Sequence, residues 1–292
     1  MKRDYFIGLG LAILGVVLFS AKAVLVKLAY QYEVDPVSLL LLRMVFAMPV
    51  YLVIAFVVRP KLKIDTKDWL WLILLGVLGY YFASLFDFVG LQYIKAGLER
   101  IILFIYPTIV ILLSVVFLKE RISQRQILAI GITYLGIVVA FWPELSLPAE
   151  GLYLGVFLIF LSALTYGSYI AGSGWLIPKF GSTVFTSYVM LVSCACVIVH
   201  FGMTGKLNDF QYPSEVYWLA FSMAIFCTVL PSYLVSFAIK RLGSSQFAIM
   251  ASFGPISTIL LAAYFLDEPM YLLQWLGTGL VIIGVSVVSK KK

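Results

Sequence analysis

The segments PTIVILLSVVFLKERISQRQILAIGITYLGIV (107–138) and PISTILLAAYFLDEPMYLLQWLGTGLVIIGVS (255–286) align without a gap at an offset of 148 residues. Eleven of the 32 positions are identical. Six of the matches are aliphatic or Phe, which an apolar composition supplies unaided. The other five are Pro107/Pro255, Glu120/Glu268, Gln126/Gln274, Gly131/Gly279 and Gly136/Gly284, residue types that it does not supply. Self-similarity at a fixed spacing marks a repeated structural unit.

The sequence around these segments says what is repeated. Of 292 residues, 63% are hydrophobic and only 12% charged, with a mean hydropathy of +1.05. A soluble domain carries about 25% charged residues. Apolar runs of ~20 residues recur along the chain, the length that crosses a bilayer as a helix. Only helices and closed barrels satisfy their backbone in lipid. The runs are too long and continuous for barrel strands, which alternate over ~10 residues. The expected fold class is an all-α polytopic membrane protein.

Ten transmembrane helices are predicted, at approximately 5–29, 37–58, 69–90, 96–117, 124–142, 151–174, 183–203, 215–238, 243–266 and 270–288. They divide into a first repeat of five (1–146) and a second (147–292). An odd number of spans per copy reverses the second copy through the bilayer, so the expectation is two inverted five-helix repeats. Inverted repeats are a transporter architecture with the substrate site near mid-membrane between the halves.

The net charge of +7 does not form a nucleic-acid-binding patch, because the basic residues lie between the spans. With the N-terminus inside, fifteen are cytoplasmic: Lys2, Arg3, Arg59, Lys61, Lys63, Lys67, Lys119, Arg121, Arg125, Lys179, Lys240, Arg241, Lys290, Lys291 and Lys292. Three, Lys27, Lys95 and Lys206, are external. That bias predicts a multi-pass protein of the cell membrane (the inner one, in a bacterium) with both termini cytoplasmic. All six tryptophans fall near predicted span ends, where interfacial anchors belong. AKA at 21–23 mimics a cleavage site, but the apolar stretch continues through Leu25, so an uncleaved first helix is expected. Cys194, Cys196 and Cys227 lie in apolar sequence and His200 is the only histidine, which points to packing rather than a metal site.

Pro36 and Arg43 open the second span in DPVSLLLLRMVFAMPVYL (35–52), and a Pro-x12-Glu pattern followed by a Gly-x4-Gly helix is used twice. With ten spans as five plus five, the chain resembles, over nearly its whole length, the EamA-type branch of the drug/metabolite transporter superfamily. The paired YP…LKER and GP…LDEP segments are the most specific part of the likeness. The resemblance implies a secondary carrier working by alternating access, with a central cavity lined mainly by spans other than the fifth and tenth. It implies a small polar or amphipathic metabolite as cargo, amino-acid-like or drug-like, and favours efflux over uptake. It does not name the cargo.

Five charged residues fall within predicted spans of the first repeat, all in the outer half: Lys22, Arg43, Asp87, Glu99 and Arg100. Their counterparts at the 148 offset include Val235 for Asp87, Phe247 for Glu99 and Ala248 for Arg100, all neutral. A lipid-facing charge at mid-membrane costs roughly 2.5–3.5 kcal/mol, so all five are expected to face inward. Two readings follow: an ion-pair network locking span four against spans two and three, or an electropositive vestibule for an anionic group of the cargo. Arg43, ~10 Å deep, and Lys22 are the better candidates for substrate contact; Glu99 and Arg100, ~5 Å deep, are the better structural pair. Asp87 could carry a coupling proton, although the cations beside it favour its ionised form.

Neutral polar stripes extend the candidate cavity: Tyr80 and Ser84 with Asp87 in span three, Tyr166 and Tyr169 in span six, and Ser232 and Ser236 in span eight. Helix-to-helix hydrogen bonding is the alternative for each. Pro107 and Pro255 are matched hinge candidates. Glu120 and Glu268 are expected where one helix ends and the next begins, each meeting the free amides of the following helix.

No G-x4-G-K-[ST] loop is present, which argues against ATP hydrolysis by this chain. There is no H-E-x-x-H and no paired deep aspartates, so no catalytic residues, metal or cofactor are expected. A lipid-modifying enzyme is the weaker alternative and a channel-like passive facilitator the stronger one. The expected partners are the small-molecule cargo, the lipid bilayer and a coupling proton or other ion. The sequence leaves monomer and homo-oligomer both open.

Overall fold

A computed structural model describes residues 2–58, 65–118, 124–146, 150–204, 211–251, 253–268 and 271–289, and no strand occurs among them. The helices are α1 (Lys2–Tyr30), α2 (Pro36–Val57), α3 (Thr66–Gly90), α4 (Ala96–Leu103), α5 (Tyr106–Leu118) and α6 (Gln124–Ser146). They continue with α7 (Leu152–Phe180), α8 (Ser182–Thr204), α9 (Ser214–Leu242), α10 (Ser244–Met250), α11 (Phe253–Phe265) and α12 (Leu272–Ser289). Each predicted span falls on one helix or on a broken pair, α4–α5 or α10–α11. Among the described residues, seven helical stretches are long and apolar enough to cross a membrane: α1, α2, α3, Ala96–Leu113, α7, α8 and α9.

Local chemistry sets the boundaries. Asp35 caps α2 by accepting a hydrogen bond from the Ser38 amide at 2.9 Å, and Pro36 sits in the first turn, where it forfeits no helical donor. Single glycines join α7 to α8 and α9 to α10. Gly181 and Gly243 have φ of 81° and 82°, a backbone conformation that a side chain would strain.

The surface polarity is inverted relative to a soluble protein. Phe56 and Tyr264 are 77% and 79% exposed, whereas Lys22, Arg43, Asp87, Glu99 and Arg100 are all 5% exposed or less. Apolar residues outside and charges inside is the arrangement hydrocarbon requires. The chain is a multi-pass integral membrane protein.

Several features recur 148 residues apart. Thr66 and Ser214, Ala96 and Ser244, and Gln124 and Leu272 each begin a helix. α3 and α9 each contain a π-helical turn, at Val77–Phe82 and Ile225–Val229. The packing also survives exchange of the halves. α1 packs on α9 and α11, and α7 packs correspondingly on α3 and α5. α2 packs on α9 as α8 does on α3, while α2–α8 and α6–α12 are self-corresponding pairs. α6 and α12 cross at glycines: a Cβ on Gly136 would lie 2.6 Å from the Gly277 carbonyl oxygen. Their backbones touch.

Candidate functional site

The charged residues converge from four helices. α1 brings Phe19 and Lys22, α2 Arg43, α3 Ser84 and Asp87, and α4 Glu99 and Arg100. Lys22 Nζ lies 2.6 Å from Asp87 Oδ2 and 4.0 Å from Glu99 Oε1. Arg100 Nε is 3.9 Å from Glu99 Oε2 but donates instead to Thr258 Oγ1 at 2.9 Å, while its Nη2 donates to the Phe19 carbonyl at 3.2 Å. Phe19 thus sits between two cations, 5.0 Å from Lys22 Nζ and 5.7 Å from the Arg100 guanidinium carbon. Arg43 stands apart. Its Nη2 donates to Ser84 Oγ at 2.8 Å, and its guanidinium lies 4.7 Å from the centre of the Phe88 ring.

Both α4 and α10 stop short, and the chain resumes as α5 and α11. Pro107 and Pro255 stand just beyond these breaks. Each proline lacks the N–H that would bond the carbonyl four residues earlier, on Leu103 and Ala251, and its ring crowds that carbonyl. A cavity lies between the two breaks. Leu103, Phe104 and Tyr106 line it from one side, Ala251 and Gly254 from the other, and Phe19, Arg100, Tyr166 and Phe247 complete the wall. Its volume of ≈ 20 Å³ is about one water's room in this conformation.

The three predicted basic residues differ in their surroundings. Arg100 lines the cavity, Lys22 is engaged by Asp87, and Arg43 is engaged by Ser84 and Phe88. Lys22, Asp87 and Glu99 form an ion-paired cluster of spans one, three and four with Arg100 beside it, Arg43 of span two stands outside it, and all five are buried in this conformation. Tyr166 lines the cavity, with its ring 5.1 Å from Tyr106 and 6.0 Å from Tyr169, and Tyr80 meets Tyr169 edge-on at 5.2 Å. Ser232 shares a 2.9 Å hydrogen bond with Tyr51, and Ser236 accepts one from Thr186 at 2.5 Å. Phe19, Tyr106, Phe247 and Thr258 were missed by the sequence reading. The signal for Tyr106 was present, since it is the Tyr of the YP segment.

Glu268 departs from expectation. Its carboxylate accepts from the amides of Ala96 at 3.0 Å and Gly97 at 3.2 Å, so it caps α4 of the first half rather than the following helix. The amide of Tyr271, at the entrance to α12, is taken by Gln274 Oε1 at 3.0 Å. Glu120 lies outside the described residues. At the opposite end of α3, Lys179 of α7 donates to Asp68 at 2.7 Å. Contacts at both ends thus join the halves. Among the described residues, no group of three or more His, Cys, Asp or Glu could hold a metal ion.

The sequence has relatives over nearly its whole length. The family model described as the EamA-like transporter family matches residues 6–142 and 153–290. The uncharacterized transporter YcbK of Bacillus subtilis (strain 168) is 29% identical over 296 residues, covering 99% of this chain and 95% of that one. An uncharacterized transporter of Archaeoglobus fulgidus is 24% identical over 267 residues, covering 90% and 93%. A solved structure described only as "Crystal structure of protein" superposes with a TM-score of 0.71 at 16% identity, covering 99% and 97%, which shows a shared fold.

Proposed function

This chain belongs to the EamA-like transporter family, and from that premise we propose that it is a secondary carrier. It exports a small polar or amphipathic metabolite by alternating access. Two inverted five-helix repeats, 1–146 and 147–292, enclose the site, and both termini are cytoplasmic. The recurrence of helix starts and π turns at 148 residues supports the repeats, and the basic residues between spans support the orientation.

The observation that carries the reading is a buried guanidinium on a cavity between two matched helix breaks. Among the described residues Arg100 has no carboxylate at hydrogen-bond distance, Glu99 Oε2 being 3.9 Å away, so an anionic group of the cargo can compete for its guanidinium. Tyr106, Tyr166 and Phe247 offer ring faces and edges to the apolar remainder. Lys22, Arg43, Tyr80, Ser84, Asp87, Tyr169, Ser232 and Ser236 form the surrounding shell of the pathway. With room for only a water, the site admits cargo when the halves separate at one end. Glu268 on α4 then acts as the outer contact and Lys179 on Asp68 as the inner one. Bending is concentrated at the breaks before Pro107 and Pro255.

The cargo is found by comparing metabolites released into the medium by cells with and without the protein. The compound enriched by the protein is then the probe for counterflow in proteoliposomes. A carrier shows trans-acceleration, because its loaded site returns faster than its empty one; a passive facilitator does not. The cargo is expected to be anionic or zwitterionic. Arg100→Gln should raise the half-saturation concentration about 30-fold, the equivalent of ~2 kcal/mol. A purely cationic or neutral apolar cargo contradicts the role given to Arg100.

A further inference from the structure

Every cation in the cluster is already engaged. Lys22 faces Asp87 at 2.6 Å, Arg43 donates to Ser84, and Arg100 donates to Thr258 and to the Phe19 carbonyl. Glu99 is left over. Its side chain is wholly buried, and neither carboxylate oxygen has a hydrogen-bond partner among the described residues. From α1 it faces Lys22, and on its own helix it adjoins Arg100. From α3 it faces the Asp87 carboxylate, which lies within side-chain hydrogen-bonding reach and whose oxygens likewise have no hydrogen-bond partner among the described residues. Thr258 of α11 and the rings of Tyr106 and Tyr166 stand beside Arg100 and are uncharged. A buried carboxylate without hydrogen bonds is costly by several kcal/mol, and the neutral acid costs less.

We propose that Glu99 is a proton-binding site whose occupancy decides where Arg100 points. With the proton on a Glu99 oxygen, the group is neutral and Arg100 bonds Thr258, tying α4 to α11 across the halves. When the proton leaves to water, the carboxylate requires a partner. Arg100 Nε at 3.9 Å comes within hydrogen-bonding distance after a side-chain shift of ~1 Å. That shift breaks the bond to Thr258. The carboxylate then competes with an anionic cargo for the same guanidinium, so proton and anion bind together and leave together. Export of one cargo anion carries one proton with it, and the two gradients jointly set the direction. Asp87 is the fixed counter-ion of Lys22 and does not cycle. The coupling to cargo rests on the carrier reading above; the proton site itself does not.

Infrared difference spectroscopy of the purified protein tests the site without cargo. The carboxylic-acid C=O band should appear as the pH is lowered and disappear as it is raised. It should be absent from Glu99→Gln and displaced in frequency in Glu99→Asp, which retains an acid if the Gln variant does not fold. A titrating band unchanged in both variants overturns the proposal, and so does the absence of any such band in the wild type. In proteoliposomes holding a pH-sensitive dye, cargo movement by the wild type should shift the pH, and Glu99→Gln should abolish that shift. A pH shift that survives in Glu99→Gln refutes the coupling. Absence of counterflow in the wild type instead refutes the carrier reading, and the infrared result still decides the proton site.

Discussion

Asp87 and Lys22 occupy positions that neither could hold alone. Their side chains are 1% and 4% exposed and 2.6 Å apart, in a helix bundle whose outer surface is apolar. Breaking such a pair leaves one uncompensated charge, whereas replacing both partners removes the problem. Asp87→Asn is therefore expected to destabilise the protein by ~3–5 kcal/mol, and the double variant Lys22→Met/Asp87→Leu by much less. Thermal unfolding in detergent measures the difference; equal losses would mean that the pair is not the unit. Sequence alone told that the five charges face inward, because lipid excludes them. It does not tell the surroundings of Arg100 from those of Arg43. Depth along a helix follows from residue number, but the partners of Arg100 are Phe19 on α1 and Thr258 in the other half, and no local spacing encodes that contact.

At the scale of elements, the helices were legible and their irregularities less so. Long apolar runs and the Asp35–Pro36 cap located the helices, seven stretches of which, among the described residues, are long and apolar enough to cross a membrane. Pro107 and Pro255 announced a disturbance, since each removes a helical donor, but a kink and a full break read alike in sequence. The π turns in α3 and α9 carry no Pro. At Gly79 the absent side chain makes room for the Tyr169 ring, a reason visible only once α3 and α7 are packed. The same holds for Gly136 and Gly277. One recurs in the duplicated motif, the other does not, and yet they meet at one crossing. Gly277→Leu should force α6 and α12 apart and destabilise the protein by ~1–3 kcal/mol. Gly279, which has open space around it, should tolerate Leu with little change. Equal melting temperatures for the two variants would contradict the crossing.

For the molecule as a whole, the duplication at 148 residues is the feature on which the transport reading depends. Corresponding helices begin in register, their packing partners exchange when the halves are exchanged, and the cavity lies between corresponding breaks. The duplicated motif in the sequence foreshadowed the register, and the proposed orientation rests on the excess of Lys and Arg on one side. The cross-half contacts of Glu268 and Lys179 were not foreseeable, because they join residues with no periodic relation. The central claim is that equivalent positions of the two repeats face opposite sides of the membrane. Gln92 and Lys240 are such a pair, 148 residues apart and both exposed. Single cysteines at these positions, with Cys194, Cys196 and Cys227 replaced, can be labelled in intact cells with a membrane-impermeant maleimide. Position 92 should react from outside and position 240 only after the membrane is opened; reaction of both from the same side would contradict the inverted repeat.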